Sequence, residues 1–326
     1  MTSLKTLLFL TTAAALSFVS PVVLAQPDGQ IDSQIDSTSG GTTESAARVK
    51  GTRVSLVKPE GFEQAPSFNG YILKDMSASV MVTEMPAPID KILEGFTEDR
   101  LALKGMNMLS KEDVQVSGCK GVLVEAKQAV FKKWIMVFGS PEETVLVVAV
   151  FPEEFSDELS DRLKECVSSV TWDQSSKVDV MENLNFSVEA KAPFKLARRL
   201  QNTLLFTQDG KFPATKPEEP VYIVGESFFQ PQMSGRKEFC LERLGQTQGV
   251  KEASADSVEP VKYAGLEGYV IAAQGKDSRT DDKMYVYQVI LFGEKSYFIH
   301  VGMVADSQKD KFEPAFKAMS ETFALR

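Results

Sequence analysis

The chain of 326 residues carries 36 Lys and Arg against 45 Asp and Glu, a formal net charge of -9 at pH 7. That acidic balance offers nucleic acid or an anionic bilayer no electrostatic attraction, so neither is expected as a partner. The length suits two domains of ordinary size, each large enough to fold without disulfides.

The first 25 residues hold one charge (Lys5), an apolar run from Leu7 to Val19, a breaker at Pro21 and a small-residue end at Val23-Leu24-Ala25. This pattern predicts a signal peptide over 1–25, cut after Ala25. The rival reading is a retained membrane anchor, because the run approaches spanning length, although Ser, Thr and Pro dilute it. No cysteine lies near the cut to carry a lipid. No later run is long and apolar enough to cross a bilayer, so no transmembrane segment is expected after signal cleavage. The expected location is periplasmic or extracellular. Residues 26–50 repeat QIDS and are rich in Ser, Thr, Gly and acids, which reads as a disordered linker.

A first domain is expected over 51–172. TRVSLVKP, GYILKD and ASVMVTEMP read as short strands punctuated by Pro and Gly. In the stretch that follows, Ile89, Ile92, Leu93 and Phe96 fall at i, i+3, i+4 and i+7. That stripe, with Pro88 suited to a first turn, predicts one helix lying on a sheet. Val114 to Val116, Val122 to Ala126, Trp134 to Phe138 and Val145 to Phe151 give four more strands. The last lacks polar alternation, as a strand covered on both faces should. A closing helix begins near Ser156, read as its N-cap, with Leu159, Leu163, Cys166, Val167 and Val170 as its buried stripe.

Residues 173–183 form a short polar junction, and a second domain is expected over 184–326. LNFSVEA, PFKLARRLQNTLLFTQDG and EEPVYIVGESFF read as strands, with FPATKPEEP as a Pro-rich connector. SGRKEFCLERLGQTQG holds a helix with Cys240, Leu241 and Leu244 as its buried side and Ser234 as its cap. From Pro260 the chain restates the first domain. VKYAGLEGYVIAAQG answers VQVSGCKGVLVEAKQ, QVILFG answers WIMVFG, and SYFIHVGMV answers TVLVVAVF. Phe312, Phe316, Met319 and Phe323 answer Leu159, Leu163, Cys166 and Val170. The fold class expected is α+β, with two tandem domains, each an antiparallel sheet with one inserted and one C-terminal helix.

The order of these elements, the VSLVKPEGF opening, and Gly118, Gly121 and Gly139 echoed by Gly265, Gly268 and Gly293 resemble PsbP-like domains. That family includes extrinsic photosystem II subunits, Mog-type proteins and DcrB-like envelope proteins. The resemblance implies an α/β/α sandwich in each half and a non-enzymatic binding or assembly role, and it places no functional residue here.

Candidate chemistry is sparse. The one histidine, His300, aligns with about Val148 of the first copy and reads as a core or sheet-edge residue with a satisfied hydrogen bond. General acid–base work would need a partner that no motif announces. Ser234 and Lys237 match S-x-x-K, but the S-D-N and K-T-G elements of that chemistry are missing. Glu142-Glu143, Glu153-Glu154, Glu218-Glu219 and Asp281-Asp282 lie beside turns and read as solvated acids. Lys195, Arg198 and Arg199 read as a solvated sheet face, with an acidic partner or lipid head group as the alternative.

Cys119, Cys166 and Cys240 are odd in number for an exported chain. They read as buried thiols, with a Cys119–Cys166 bridge as the alternative. No catalytic, cofactor-binding or metal residue is assigned and no cofactor is expected. The functional expectation is a non-catalytic binding or assembly protein of the cell envelope whose partner is an unknown envelope protein or a small ligand. A small-molecule or lipid carrier is the alternative, and a hydrolase using Ser234 and His300 a remote one.

Overall fold

The computed structural model describes residues 45–212, 219–228, 233 and 235–326. The expected signal peptide, residues 26–44 of the linker, most of the FPATKPEEP connector and Ser234 lie outside them. The chain divides into two compact units, one built on 69–179 and the other on 180–326, with Pro66–Phe68 grouped with the second.

The first unit contains β1 (Ala47–Arg48), β2 (Val54–Leu56), β3 (Glu63–Gln64), β4 (Gly70–Leu73) and β5 (Ala78–Met85). Two short helices follow, α1 (Ile89–Leu93) and α2 (Glu98–Ala102). Then come β6 (Asn107–Val116), β7 (Cys119–Gln128), β8 (Phe131–Gly139), β9 (Thr144–Pro152), α3 (Ser156–Ser168) and β10 (Thr171–Trp172). Its seven-stranded sheet runs β3-β4-β5-β9-β8-β7-β6, antiparallel throughout, and β1-β2-β10 form a small second sheet. Residues 45–50, read from sequence as the end of the linker, carry β1, and Val49 is fully buried.

The second unit contains β11 (Phe186–Ser187), β12 (Lys195–Leu200), β13 (Thr203–Thr207) and β14 (Val221–Glu226). These precede α4 (Arg236–Gly245), β15 (Val250–Tyr263), β16 (Leu266–Asp277), β17 (Lys283–Phe292) and β18 (Tyr297–Ala305). The chain closes with α5 (Lys309–Glu321) and β19 (Ala324–Leu325). Its sheet runs β12-β13-β14-β18-β17-β16-β15, the same order as the first, strand for strand. Even the hairpin turns agree. Ser117-Gly118 and Ala264-Gly265 all have positive φ, as the type I′ turn requires of both central residues.

Each sheet is covered on two faces. In the first unit Leu159, Leu163, Cys166 and Val167 of α3 pack on Val82, Met136, Val147 and their neighbours. Ile89, Ile92, Phe96 and Leu101 of the α1–α2 stretch are buried as well. In the second, Phe312, Phe316, Met319 and Phe323 cover one face, while Cys240 and Leu244 of α4 cover the other with Ile271, Val286 and Ile290. The apolar strand β9 lies in the middle of its sheet and is buried on both sides.

Several local expectations need correction. The single helix expected over the Ile89–Phe96 stripe is two, because Gly95 interrupts it and the Thr97 side chain caps a new start by accepting from the Arg100 amide. Ser156 is not an N-cap: a 3₁₀ turn at Glu153–Phe155 leads into α3, leaving Ser156 as its first residue. Leu241 is exposed, because Cys240 and Leu244 share a face at i and i+4 that residue 241 turns away from. Phe239 packs against that cluster instead.

One polar cluster ties the first unit together. Arg53 donates through its amide and Nε to Glu84 and through Nη2 to Glu143, and its guanidinium lies 5.4 Å from the Trp172 ring centre. Trp172 Nε1 donates to the same Glu84 at 3.0 Å.

Candidate functional site

The residues able to carry chemistry sit largely inside. His300 on β18 faces Val224 of β14 and Val289 of β17. In the first sheet the position between Val82 and Met136 belongs to Val147. The sequence alignment with Val148 is therefore off by one residue, and in a strand one residue exchanges the two faces. His300 points toward α5 and is fully buried.

Its Nδ1 lies 2.7 Å from the Tyr222 hydroxyl, and its Nε2 finds no hydrogen-bond partner among the described residues. Burial pushes its pKa down to about 3, because a charged imidazole would lose its hydration. The ring is neutral at physiological pH and out of reach of solvent. Nearby, Tyr287 and Ser320 hydroxyls lie 2.9 Å apart, and Ser320 donates to the Lys317 carbonyl.

Aromatic rings fill the space between this sheet and α5. Phe316 stacks on Phe194, Tyr222 and Tyr287 with ring centres 5.6, 6.1 and 6.1 Å away. A lipid chain between sheet and closing helix would have to displace them.

All three cysteines are free, so the alternative Cys119–Cys166 bridge is not formed. Burial pushes the Cys166 and Cys240 thiols up to about 12, away from the thiolate that nucleophilic chemistry uses. Cys119 is half-buried, and its sulfur accepts from Gln174 Nε2 at 3.4 Å.

One acid of each of three pairs holds a cation at the surface, and Glu218 of the fourth lies outside the described residues. Glu143 holds Arg53, Glu153 pairs with Lys127 and Asp281 with Lys251. Nor are Arg198 and Arg199 a solvated face: both are half-buried. Arg199 donates to the Val180, Glu182 and Gln201 carbonyls, fastening the chain before β11 to β12. Lys237 is exposed on α4.

Two features were not among the residues singled out from the sequence. One is a groove of about 510 Å³ on the second unit, lined by Lys195, Gln208, Asp209, Glu219, Gln308, Lys311 and Phe312. It is open to solvent, and its lining carries charges of both signs. Its lining comes from separate elements, so no motif could mark it. The other is Lys133 on β8, fully buried. Burial pushes its ammonium down to about 8, and its Nζ donates to Gln128 Oε1 at 2.5 Å. Here a signal existed: Lys133 alternates with Ile135 and Val137, so it shares their buried face. Among the described residues no group of three or more His, Cys, Asp or Glu is placed to hold a metal ion. No helix among them is long and apolar enough to cross a membrane.

No family model matches the chain, and no curated protein matches it. Among solved structures it is similar to a chain of the Tle4-Tli4 complex, at 10% identity and TM-score 0.35, covering 79% of this chain and 95% of that one. It is also similar to the T6SS immunity protein TplEi from Pseudomonas aeruginosa, at 10% identity and TM-score 0.34, covering 86% and 96%. Cyanobacterial PsbP (CyanoP) from Synechocystis sp. PCC 6803 aligns with 44% of this chain and 82% of its own, at 11% identity and TM-score 0.29. Likenesses this slight carry no argument about fold family or function.

Proposed function

We propose that this is a non-catalytic binding or assembly protein of the cell envelope, exported by its N-terminal segment. The observation that carries the reading is the fate of its one imidazole, sealed in a core and held neutral beside Tyr222. The buried thiols follow the same pattern. The imidazole and the two buried thiols are closed off from any substrate, and the acid–base and thiolate chemistry they could supply has no access to solvent here. The envelope location rests on residues 1–25 alone.

Native mass spectrometry of the protein drawn gently from its own envelope fraction tests this. A discrete added mass, protein or small molecule, is the expected result. A bare chain that turns over an ester or amide library, with loss of turnover in His300→Ala, would overturn it.

A second reading, a carrier for a small polar ligand, is favoured by the mixed-charge groove around Lys195 and Lys311. A ligand held there would raise the melting temperature of the wild type and not that of a Lys195→Ala, Lys311→Ala variant.

A further inference from the structure

Among the described residues before 180, only Pro66, Ser67 and Phe68 are grouped with the second unit. Their main chain is held there by asparagines. Asn185 Nδ2 donates to the Pro66 carbonyl at 2.8 Å, Asn202 Nδ2 to the Ser67 carbonyl at 3.1 Å and Asn183 Nδ2 to the Phe68 carbonyl at 3.3 Å. Three consecutive carbonyls each take one side-chain amide. The side chains add two contacts with Phe228. Ser67 Oγ donates to its carbonyl at 3.1 Å, and the Phe68 ring meets its ring edge-on, with centres 6.0 Å apart and planes at 86°.

The receiving amides are oriented by the second unit itself. An asparagine amide has two N–H donors. Asn185 and Asn202 each give one to the tripeptide and one to Glu226, through its Oε2 at 2.9 Å and its main-chain carbonyl respectively. Ser296 Oγ donates to the other carboxylate oxygen of Glu226 at 2.7 Å. Asn183 has φ +61°, in the left-handed region that asparagine tolerates better than most residues. Asn183 and Asn185 lead into β11, Asn202 closes the turn between β12 and β13, and Phe228 follows β14.

These contacts ask for no covalent link to the rest of the chain. Hydrogen bonds to main-chain carbonyls are open to any extended peptide, and side-chain contacts supply the selectivity. Here those contacts favour a hydroxyl residue followed by an aromatic one. A segment tethered to its own site competes at high effective concentration with any separate peptide.

We propose that Asn183, Asn185, Asn202 and Phe228 form a binding site for an extended segment of a partner protein, a hydroxyl residue followed by an aromatic one, which Pro66–Phe68 occupy in cis. Glu226 is its positioning residue. This deepens the binding-protein reading by naming a site and the chemistry of the partner.

The test uses the full chain and a fluorescent synthetic peptide, EQAPSFNG, the sequence of residues 63–70. Ser67→Gly with Phe68→Gly strips the resident segment of its hydroxyl and ring and leaves the three asparagines intact. By fluorescence anisotropy this variant is expected to bind the peptide saturably, about tenfold or more tighter than the wild type, whose own segment competes. Adding Asn202→Ala should abolish binding with circular dichroism unchanged. A peptide with benzophenone in place of the phenyl ring needs no further variant, and should crosslink within the tryptic fragment that contains Phe228.

No saturable binding to the folded glycine variant, binding that survives Asn202→Ala, or a crosslink elsewhere would overturn the proposal and leave the asparagines as a fastening of the chain to itself. A wild-type dimer in native mass spectra that the glycine variant loses would give the site to a second copy and overturn it as well. In each case an added mass on the protein from its envelope fraction keeps the binding-protein reading standing, and a bare chain there counts against both.

Discussion

A Cβ on Gly302 would lie 2.5 Å from Cγ and Cδ1 of the Phe316 ring. Gly302 is flanked across the sheet by Tyr222 and Tyr287, whose rings stack on Phe316 from either side. The corresponding positions of the first unit hold Ala149 and, on the closing helix, Leu163. A larger side chain on the helix goes with a smaller one on the strand, because the interior is close-packed.

Gly302→Ala should therefore lower stability by about 1–3 kcal/mol, the usual cost of overpacking. Phe316→Leu alone should also destabilise, by leaving a void. Together they recreate the Ala–Leu pair of the first unit and should be less damaging than the sum of the two, by about 1 kcal/mol. Urea denaturation of the four proteins measures the coupling.

His300 makes stability depend on pH. Its folded pKa, about 3, lies below its unfolded value of 6.5, so between those values the unfolded chain binds the proton that the folded one refuses. Stability is full above pH 6.5 and is lost as pH falls toward 3, by a few kcal/mol at roughly 1.4 kcal/mol per pH unit. His300→Val, the residue of the first unit, should flatten that part of the pH profile. It should also cost about 1–3 kcal/mol at neutral pH by leaving the Tyr222 hydroxyl without its imidazole partner.

Lys133 acts on the alkaline side. Its folded pKa of about 8 lies below the ordinary 10.5, so the penalty of the buried ammonium is complete below pH 8 and fades as pH rises to 10.5. Lys133→Met should raise stability at pH 7 by about 1–3 kcal/mol, with the gain shrinking above pH 8. Denaturation midpoints at pH 7 and pH 10 decide it.

Glu84 anchors both Arg53 and the Trp172 indole. Glu84→Ala leaves a half-buried guanidinium short of a partner and should cost about 2–4 kcal/mol. It should also shift tryptophan emission, because Trp134 and Trp172 are the only indoles of the chain.

Thiol labelling of the native protein should modify Cys119 alone, since Cys166 and Cys240 are buried. All three should label after denaturation without reductant. A single labelled thiol in denaturant would mean that Cys119 and Cys166 are bridged after all.

The strands and closing helices were legible in the chain because alternation and helical spacing are local, and because Phe312, Phe316, Met319 and Phe323 repeat the spacing of Leu159, Leu163, Cys166 and Val170. The shared strand order of the two sheets could be expected from the same repetition, and the sheets carry it out. Which face a residue occupies is a different matter. It depends on hydrogen-bond register between strands far apart in sequence, and a slip of one residue put His300 opposite Val148 instead of Val147. The Gly302–Phe316 fit and the groove around Lys195 and Lys311 each need partners brought from separate elements. Local patterning determined what the elements are; only tertiary pairing decided which side chains they bring together.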